Sequence, residues 1–160
     1  MIAASLLLSA AFAFTMPTPV SSATPAPAVQ HLPTVTLRAP HAALSVQVAR
    51  TREQRERGLM NVTALAPHAG MLFVFPAEGR LSFWMKDTLI DLDMVWLRED
   101  GTVSSVAAHV PHSERTTPDD RVATREGDGA YVLELPAGEA HDDGLVEGAR
   151  ASGLPPPSRE

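Results

Sequence analysis

From Leu89 to Leu97 the chain alternates in steps of two. Ile90, Leu92, Met94 and Trp96 fall on one side of an extended segment, and Asp91, Asp93, Val95 and Leu97 on the other. A helix would scatter these side chains around its axis, so the segment is predicted as a strand. Asp100-Gly101 follows it, a pair that tolerates positive φ and suits a tight hairpin, so Val103 to Val110 is predicted as the returning strand. The same period recurs at Leu44, Val46 and Val48, interleaved with Ser45 and Gln47. Thr34 to Leu37 reads as a strand before it. Met71 to Phe75 is continuously apolar, as a strand covered on both faces must be, and Leu81 to Met85 and Tyr131 to Leu135 complete the set.

Helical signals are few. Thr51 precedes Gln54 by the capping-box spacing, in which each side chain satisfies the other's free backbone N–H, and Gly58 suits the end of the helix. Arg52, Glu53, Arg55, Glu56 and Arg57 make that helix a solvated one. A second short helical segment is expected near Glu139 to Asp143, stopped by Gly144, and polar Thr116 to Gly129 reads as a long loop. Roughly seven strands without βαβ alternation predict a mainly β fold, a single small antiparallel sandwich or closed barrel with one or two short helices.

The 160 residues allow one domain, and 44 % hydrophobic composition supplies an ordinary core. Ile2 to Phe14 is an apolar run, short for a bilayer span, followed by small residues at Ser21-Ser22-Ala23. Residues 1–23 are therefore expected to be a signal peptide or an N-terminal anchor, and the protein to be exported: periplasmic, extracellular or envelope-associated. Residues 24–33 are a Pro/Ala-rich linker, residues 34–150 the β-domain, and residues 151–160, with Pro155-Pro156-Pro157, a disordered tail. The chain has no cysteine, which excludes disulfides, thiolate metal sites and cysteine nucleophiles. A net charge of -6 argues against a nucleic-acid partner.

Two large aromatics, two methionines, three aspartates and the only lysine crowd into Phe83 to Met94. With Gly58-Leu59-Met60, Gly70-Met71-Leu72-Phe73, Leu92-Asp93 and Val132-Leu133-Glu134, this run resembles, block by block, the family called domain of unknown function 192, over about Val35 to Arg150. The resemblance implies a small β-rich, jelly-roll-like fold and no established activity, cofactor or substrate. The chain departs from the family pattern at Asp87, Asp91, Asn61 and Ala149, where Asn, Pro, a basic residue and Asp are usual; His112 lies where some relatives carry cysteines.

Several groups could carry chemistry. Trp84 and Lys86 share a strand face, so the ammonium could lie over the indole or act as an anion handle; the structural alternative is an ion pair from Lys86 to Asp93 or Glu134. Asp91 and Asp93 also share a face. Asp93 with Glu134 could form the carboxylate pair of a hydrolase, with Lys86 or Arg57 holding an anion. Met60, Met71, Met85 and Met94 invite a copper reading, against which stands ordinary core filling. His109 and His112, with His141 elsewhere, make a poor zinc set, because Pro111 prevents the helix that would align the first two.

The leading expectation is a non-catalytic ligand- or partner-binding accessory module. Its site would use Trp84, Lys86, Asp93 and Arg57, without metal or cofactor, and take a small polar ligand, a glycan or an envelope protein. Nucleic acid is not expected, and the membrane is expected only through the N-terminal segment. The alternatives are a hydrolase using Asp93 and Glu134, and a purely structural envelope protein. An exposed Trp84 without a carboxylate pair favours the binding module; convergence of Lys86, Asp93 and Glu134 in one open pocket favours the enzyme.

Overall fold

The structure is a computed structural model that describes residues 28–158. Its elements are β1 (Thr34–Arg38), β2 (Ala43–Ala49), α1 (Arg52–Arg57), β3 (Ala69–Trp84), β4 (Leu92–Leu97), β5 (Val103–Val110), a 3-10 turn (Asp119–Arg121), β6 (Thr124–Pro136) and α2 (Glu139–Asp142). The strands form one sheet in the order β1-β2-β3-β6-β4-β5.

The mainly β expectation with two short helices is met, and four details are corrected. The sheet is mixed rather than antiparallel, because β2 and β3 run parallel, with Val46 opposite Gly70. A parallel pair needs a crossover, and the segment containing α1 supplies it. That crossover was illegible in sequence because α1 is a single charged turn and a half with no buried residue. The sheet does not close into a barrel: β1 and β5 are its edges. Met71 to Phe75 and Leu81 to Trp84 belong to the one long strand β3, which ends one residue short of Met85 and whose register on β6 shifts between Val74 and Gly79. β6 reaches back to Thr124, into the stretch read as loop, because Thr124 to Gly129 pair with the second half of β3.

Both faces of the sheet are covered, so the two-residue period sorts side chains between two cores. Leu44, Val46, Leu72, Val95, Leu97 and Leu133 pack on one face with Ala140 and Leu145 from α2 and its sequel. Leu59, Met71, Phe73, Met85, Met94, Trp96 and Val132 pack on the other. All six residues of β4 are buried. Met71, Met85 and Met94 are core side chains. Trp96 donates its indole N–H to the Leu81 carbonyl at 3.3 Å, which lets a polar aromatic sit in the interior. Phe83 stacks edge-on to Phe73 (4.8 Å between centroids) and to Trp96 (6.4 Å). Each such side chain contributes roughly 1.5–3 kcal/mol by leaving water.

The capping box at Thr51 and Gln54 is present, and Gly58 has φ 46°. The terminal stretch departs from expectation. Far from being a disordered tail, residues 151–158 run along the domain: Ser152 bridges Arg38, the Tyr131 hydroxyl donates to Pro155 O at 2.8 Å, and the Ser158 N–H donates to Phe75 O at 3.2 Å. The end of the linker is also engaged, since the Gln30 side chain donates to the carbonyls of Gln54 and Gly58, and the Leu32 N–H donates to the Gln47 side chain. The signal or anchor expected at residues 1–23 and the first part of the linker lie outside the described residues. Among the described residues no helix is long and apolar enough to cross a membrane.

Candidate functional site

Glu134 lies in the middle of β6 and faces Met71 on β3 and Met94 on β4. The alternation of β6 assigns it to the methionine- and aromatic-rich face with Val132, so a carboxyl group occupies a core position. It is 4 % exposed. Among the described residues no side chain or backbone group hydrogen-bonds to it or pairs with it. Burial therefore acts on it unopposed and raises its pKa from the usual carboxylate range to about 8. At neutral pH the group is mostly a neutral acid, able to donate one hydrogen bond and accept others.

Above Glu134 a narrow cleft of about 30 Å³ opens to the surface, lined by Arg55 to Met60, Phe73, Phe83, Trp84, Lys86 and Thr88. That is space for a water molecule or one small functional group. The wall at Gly58 depends on the missing side chain: a Cβ there would stand 3.2 Å from the Phe73 ring, at a positive φ. Trp84, at the end of β3, forms part of the lip and is 51 % exposed, unusual for the largest side chain. On its other side a shallower groove of about 320 Å³ is lined by Arg52, Arg55, Glu56, Phe75, Ser82, Phe83 and Trp84. Cleft and groove share Arg55, Glu56, Phe83 and Trp84, so they form one continuous surface. Arg55 lies over the Phe75 ring, 4.9 Å from its centroid, and donates to Val74 O at 3.0 Å.

Of the residues singled out from sequence, Trp84, Lys86, Arg57 and Glu134 meet at this cleft. Lys86 pairs with Asp119, and that hydrogen bond holds its pKa above the ordinary lysine value. It pairs with neither Asp93 nor Glu134. Asp93 does not belong to the site. It pairs in register with Leu135, whereas Glu134 pairs with Met94, so the two carboxyl groups project from opposite faces of the sheet. The carboxylate pair expected for a hydrolase is thus not brought together. Asp93 is fully buried and accepts three backbone N–H groups, from His109 (2.8 Å), Gly138 (2.9 Å) and Ala140 (3.0 Å). It ties the end of β5 and the turn into α2 onto β4.

Asp91 is separate again. It accepts the backbone N–H of His112 at 2.8 Å and meets His112 Nδ1 at 2.6 Å, and these bonds hold its carboxyl below the usual range. His112 is therefore partnered, and His141 lies exposed beside Asp142. Arg55 and Thr88 line the cleft without having been singled out as site residues, and Met60, which sequence offered only as a copper candidate, lines it too. The Gly58-Leu59-Met60 block was the available signal: the family-like stretches Gly58–Met60, Gly70–Phe75 and Phe83–Asp93 are expected around one concave surface, and Gly58 to Met60, Phe73, Phe83, Trp84 and Lys86 line the one cleft.

The profile of domain of unknown function 192 (DUF192), described as "Uncharacterized ACR", matches residues 34–153. A putative transcription regulator from Sinorhizobium meliloti 1021 is similar in structure, with 34 % sequence identity, 78 % of this chain and 97 % of that one covered, and a TM-score of 0.67. A protein of unknown function from Novosphingobium aromaticivorans DSM 12444 is 26 % identical over 85 % of this chain and 99 % of that one, with a TM-score of 0.65. No curated protein matches the sequence.

Proposed function

The chain belongs to the DUF192 family of uncharacterised proteins, and from that premise we propose that it is an exported, non-catalytic binding module whose cleft over Glu134 takes a glycan. The observation that carries this reading is a buried carboxyl group, without a partner among the described residues, at the floor of a cleft whose lip is a half-exposed tryptophan. A recess of about 30 Å³ admits a hydroxyl group and not a whole molecule. The body of the ligand must then lie outside, on Trp84 and along the groove beside Phe75 and Phe83. A sugar has both parts: an apolar ring face to lie on an indole, and hydroxyls that exchange hydrogen bonds with a neutral carboxyl and accept them from arginine.

A second reading rests on the same group. A carboxyl that keeps its proton near neutral pH is suited to general acid catalysis. A glycosidase also needs a second carboxylate across the bond to be cleaved. Asp93 is on the other face of the sheet, and Glu56 on the rim is held by Arg52 at 2.7 Å. The binding module needs no such second group. Contact with DNA, which the Sinorhizobium relative's description as a putative transcription regulator would suggest, is opposed in this chain by a net charge of -6 against the phosphates.

The test is tryptophan fluorescence and calorimetry of the full chain against a panel of neutral and acidic oligosaccharides. Trp96 is buried, so a change in the accessible signal reports Trp84. Binding should weaken more than about tenfold in Trp84→Ala and in Glu134→Leu, the loss of roughly 1.4 kcal/mol or more expected for one buried hydrogen bond or one stacking face. Trp84→Ala should leave stability within about 1 kcal/mol, as for other exposed positions. Saccharide binding that survives both substitutions, or no binding by the wild type, rejects the glycan reading; release of reducing ends on incubation would favour the acid catalyst.

A further inference from the structure

A second cluster lies at the opposite face from the cleft, where the start of β3 meets α2. We propose that His68, Glu139 and Asp143 form a binding site for one divalent cation of the zinc class. His68 immediately precedes β3 and adopts φ 57°, a left-handed conformation unusual for a residue with a side chain. Its Nδ1 lies 2.9 Å from Asp143 Oδ1, and its backbone N–H donates to Glu139 Oε2 at 2.9 Å. One donor atom from each of the three residues lies within 4.8 Å of the others.

The observation that points to a ligand is at Asp143. This residue is 1 % exposed, and its second carboxylate oxygen, Oδ2, is buried without a hydrogen-bond partner among the described residues. Buried carboxylate oxygens without a donor are rare because their lost hydration is uncompensated. The peptide groups around Asp143 offer no remedy. Its own N–H is committed to Glu139 O at 2.9 Å, and the His41 N–H goes to the Asp143 carbonyl at 3.1 Å. A cation between Asp143 and His68 would supply the missing positive partner. It would take the place of the Nδ1 proton of the neutral imidazole, which would pass through water to Nε2, so that the ring stays neutral and both carboxylates keep their charge.

The donor set selects the ion. One imidazole nitrogen with two carboxylates is a set for Zn²⁺ and its first-row neighbours; Ca²⁺ and Mg²⁺ prefer oxygen alone. Tetrahedral bonds of about 2.1 Å place donors roughly 3.4 Å apart, inside the range already spanned here. His68 is half exposed, so an ion reaches the site without opening the fold, and water completes the coordination.

The test is calorimetric titration of the chelator-stripped full chain with ZnCl₂, with CaCl₂ in parallel and thermal unfolding as a second readout. One equivalent of Zn²⁺ should bind and raise the melting temperature, and CaCl₂ should not compete. His68→Ala takes the imidazole from the buried Asp143 carboxylate and should lower the metal-free melting temperature while the chain still folds, and should weaken Zn²⁺ binding by more than about tenfold, because even indirect supports of metal ligands carry tenfold effects. Asp143→Asn should do the same. His112→Ala, at a separate histidine–aspartate pair, should change nothing. The proposal is overturned if the wild type shows no saturable uptake, if His68→Ala binds as the wild type does, if His112→Ala abolishes uptake, or if Ca²⁺ binds more tightly than Zn²⁺.

Discussion

Glu134 and Asp93 are 4 % and 0 % exposed, yet the first has no hydrogen-bond donor among the described residues and the second has three. That difference separates a group the fold leaves unpaired from a group that holds the fold. It also sets a pH dependence. The folded state keeps the Glu134 proton up to about 8, whereas the unfolded chain releases it near 4.5. Between those values the folded state binds more protons than the unfolded state, so unfolding becomes easier as pH rises. The stabilising contribution is complete below about pH 4.5 and is lost as pH rises through about 8. Melting temperatures from pH 5 to 9 should therefore fall more steeply in the wild type than in Glu134→Gln, which has no proton to lose; parallel curves would show that Glu134 is ionised in the folded protein. Trp84 makes the complementary point: an indole half in water gains little for the fold and is available to a ligand.

At the scale of elements, β3 organises the molecule. Its first half pairs in parallel with β2 and antiparallel with β6, and after the register shift its second half carries Phe83 and Trp84 to the cleft. The approach of β3 to β6 depends on Gly70, where a Cβ would stand 2.1 Å from the Glu134 carbonyl oxygen. No rotamer relieves a clash with backbone, so Gly70→Ala should destabilise by at least about 2 kcal/mol in urea unfolding. Gly79→Ala, which would meet nothing within 4 Å, is the control in the same strand and should be nearly neutral. Equal stabilities for the two variants would mean that the β3–β6 contact is looser than described. The crossover containing α1 illustrates the opposite economy: a single capped turn and a half with no buried residue connects parallel strands and places Arg55 to Gly58 on the cleft wall.

At the scale of the whole molecule, the chain segments flanking the sheet act as struts. The C-terminal stretch bonds through Pro155 O to Tyr131, through Pro156 O to Arg50 at 3.1 Å, and through Ser158 to Phe75 and Arg50. Deleting residues 155–160 should cost about 1–3 kcal/mol in chemical denaturation, the net value of a few partly buried hydrogen bonds; an unchanged midpoint would restore the reading of a free tail. That reading failed because Pro155-Pro156-Pro157 looks solvated wherever it lies, and only its neighbours show that it is docked. What the sequence by itself determined is the local structure. The two-residue period read from Leu89 to Leu97, the Asp100-Gly101 turn and the Thr51–Gln54 cap each depend on residues close in the chain; the turn and the cap are present as read, and the strand is present from Leu92 to Leu97, three residues shorter at its start. The assembly of Trp84, Lys86 and Arg57 around Glu134, the exclusion of Asp93 and the parallel pairing of β2 with β3 were decided only by the tertiary structure. Those outcomes depend on which strands become neighbours and on which face each carboxyl group emerges, and a pattern of nearby residues carries neither.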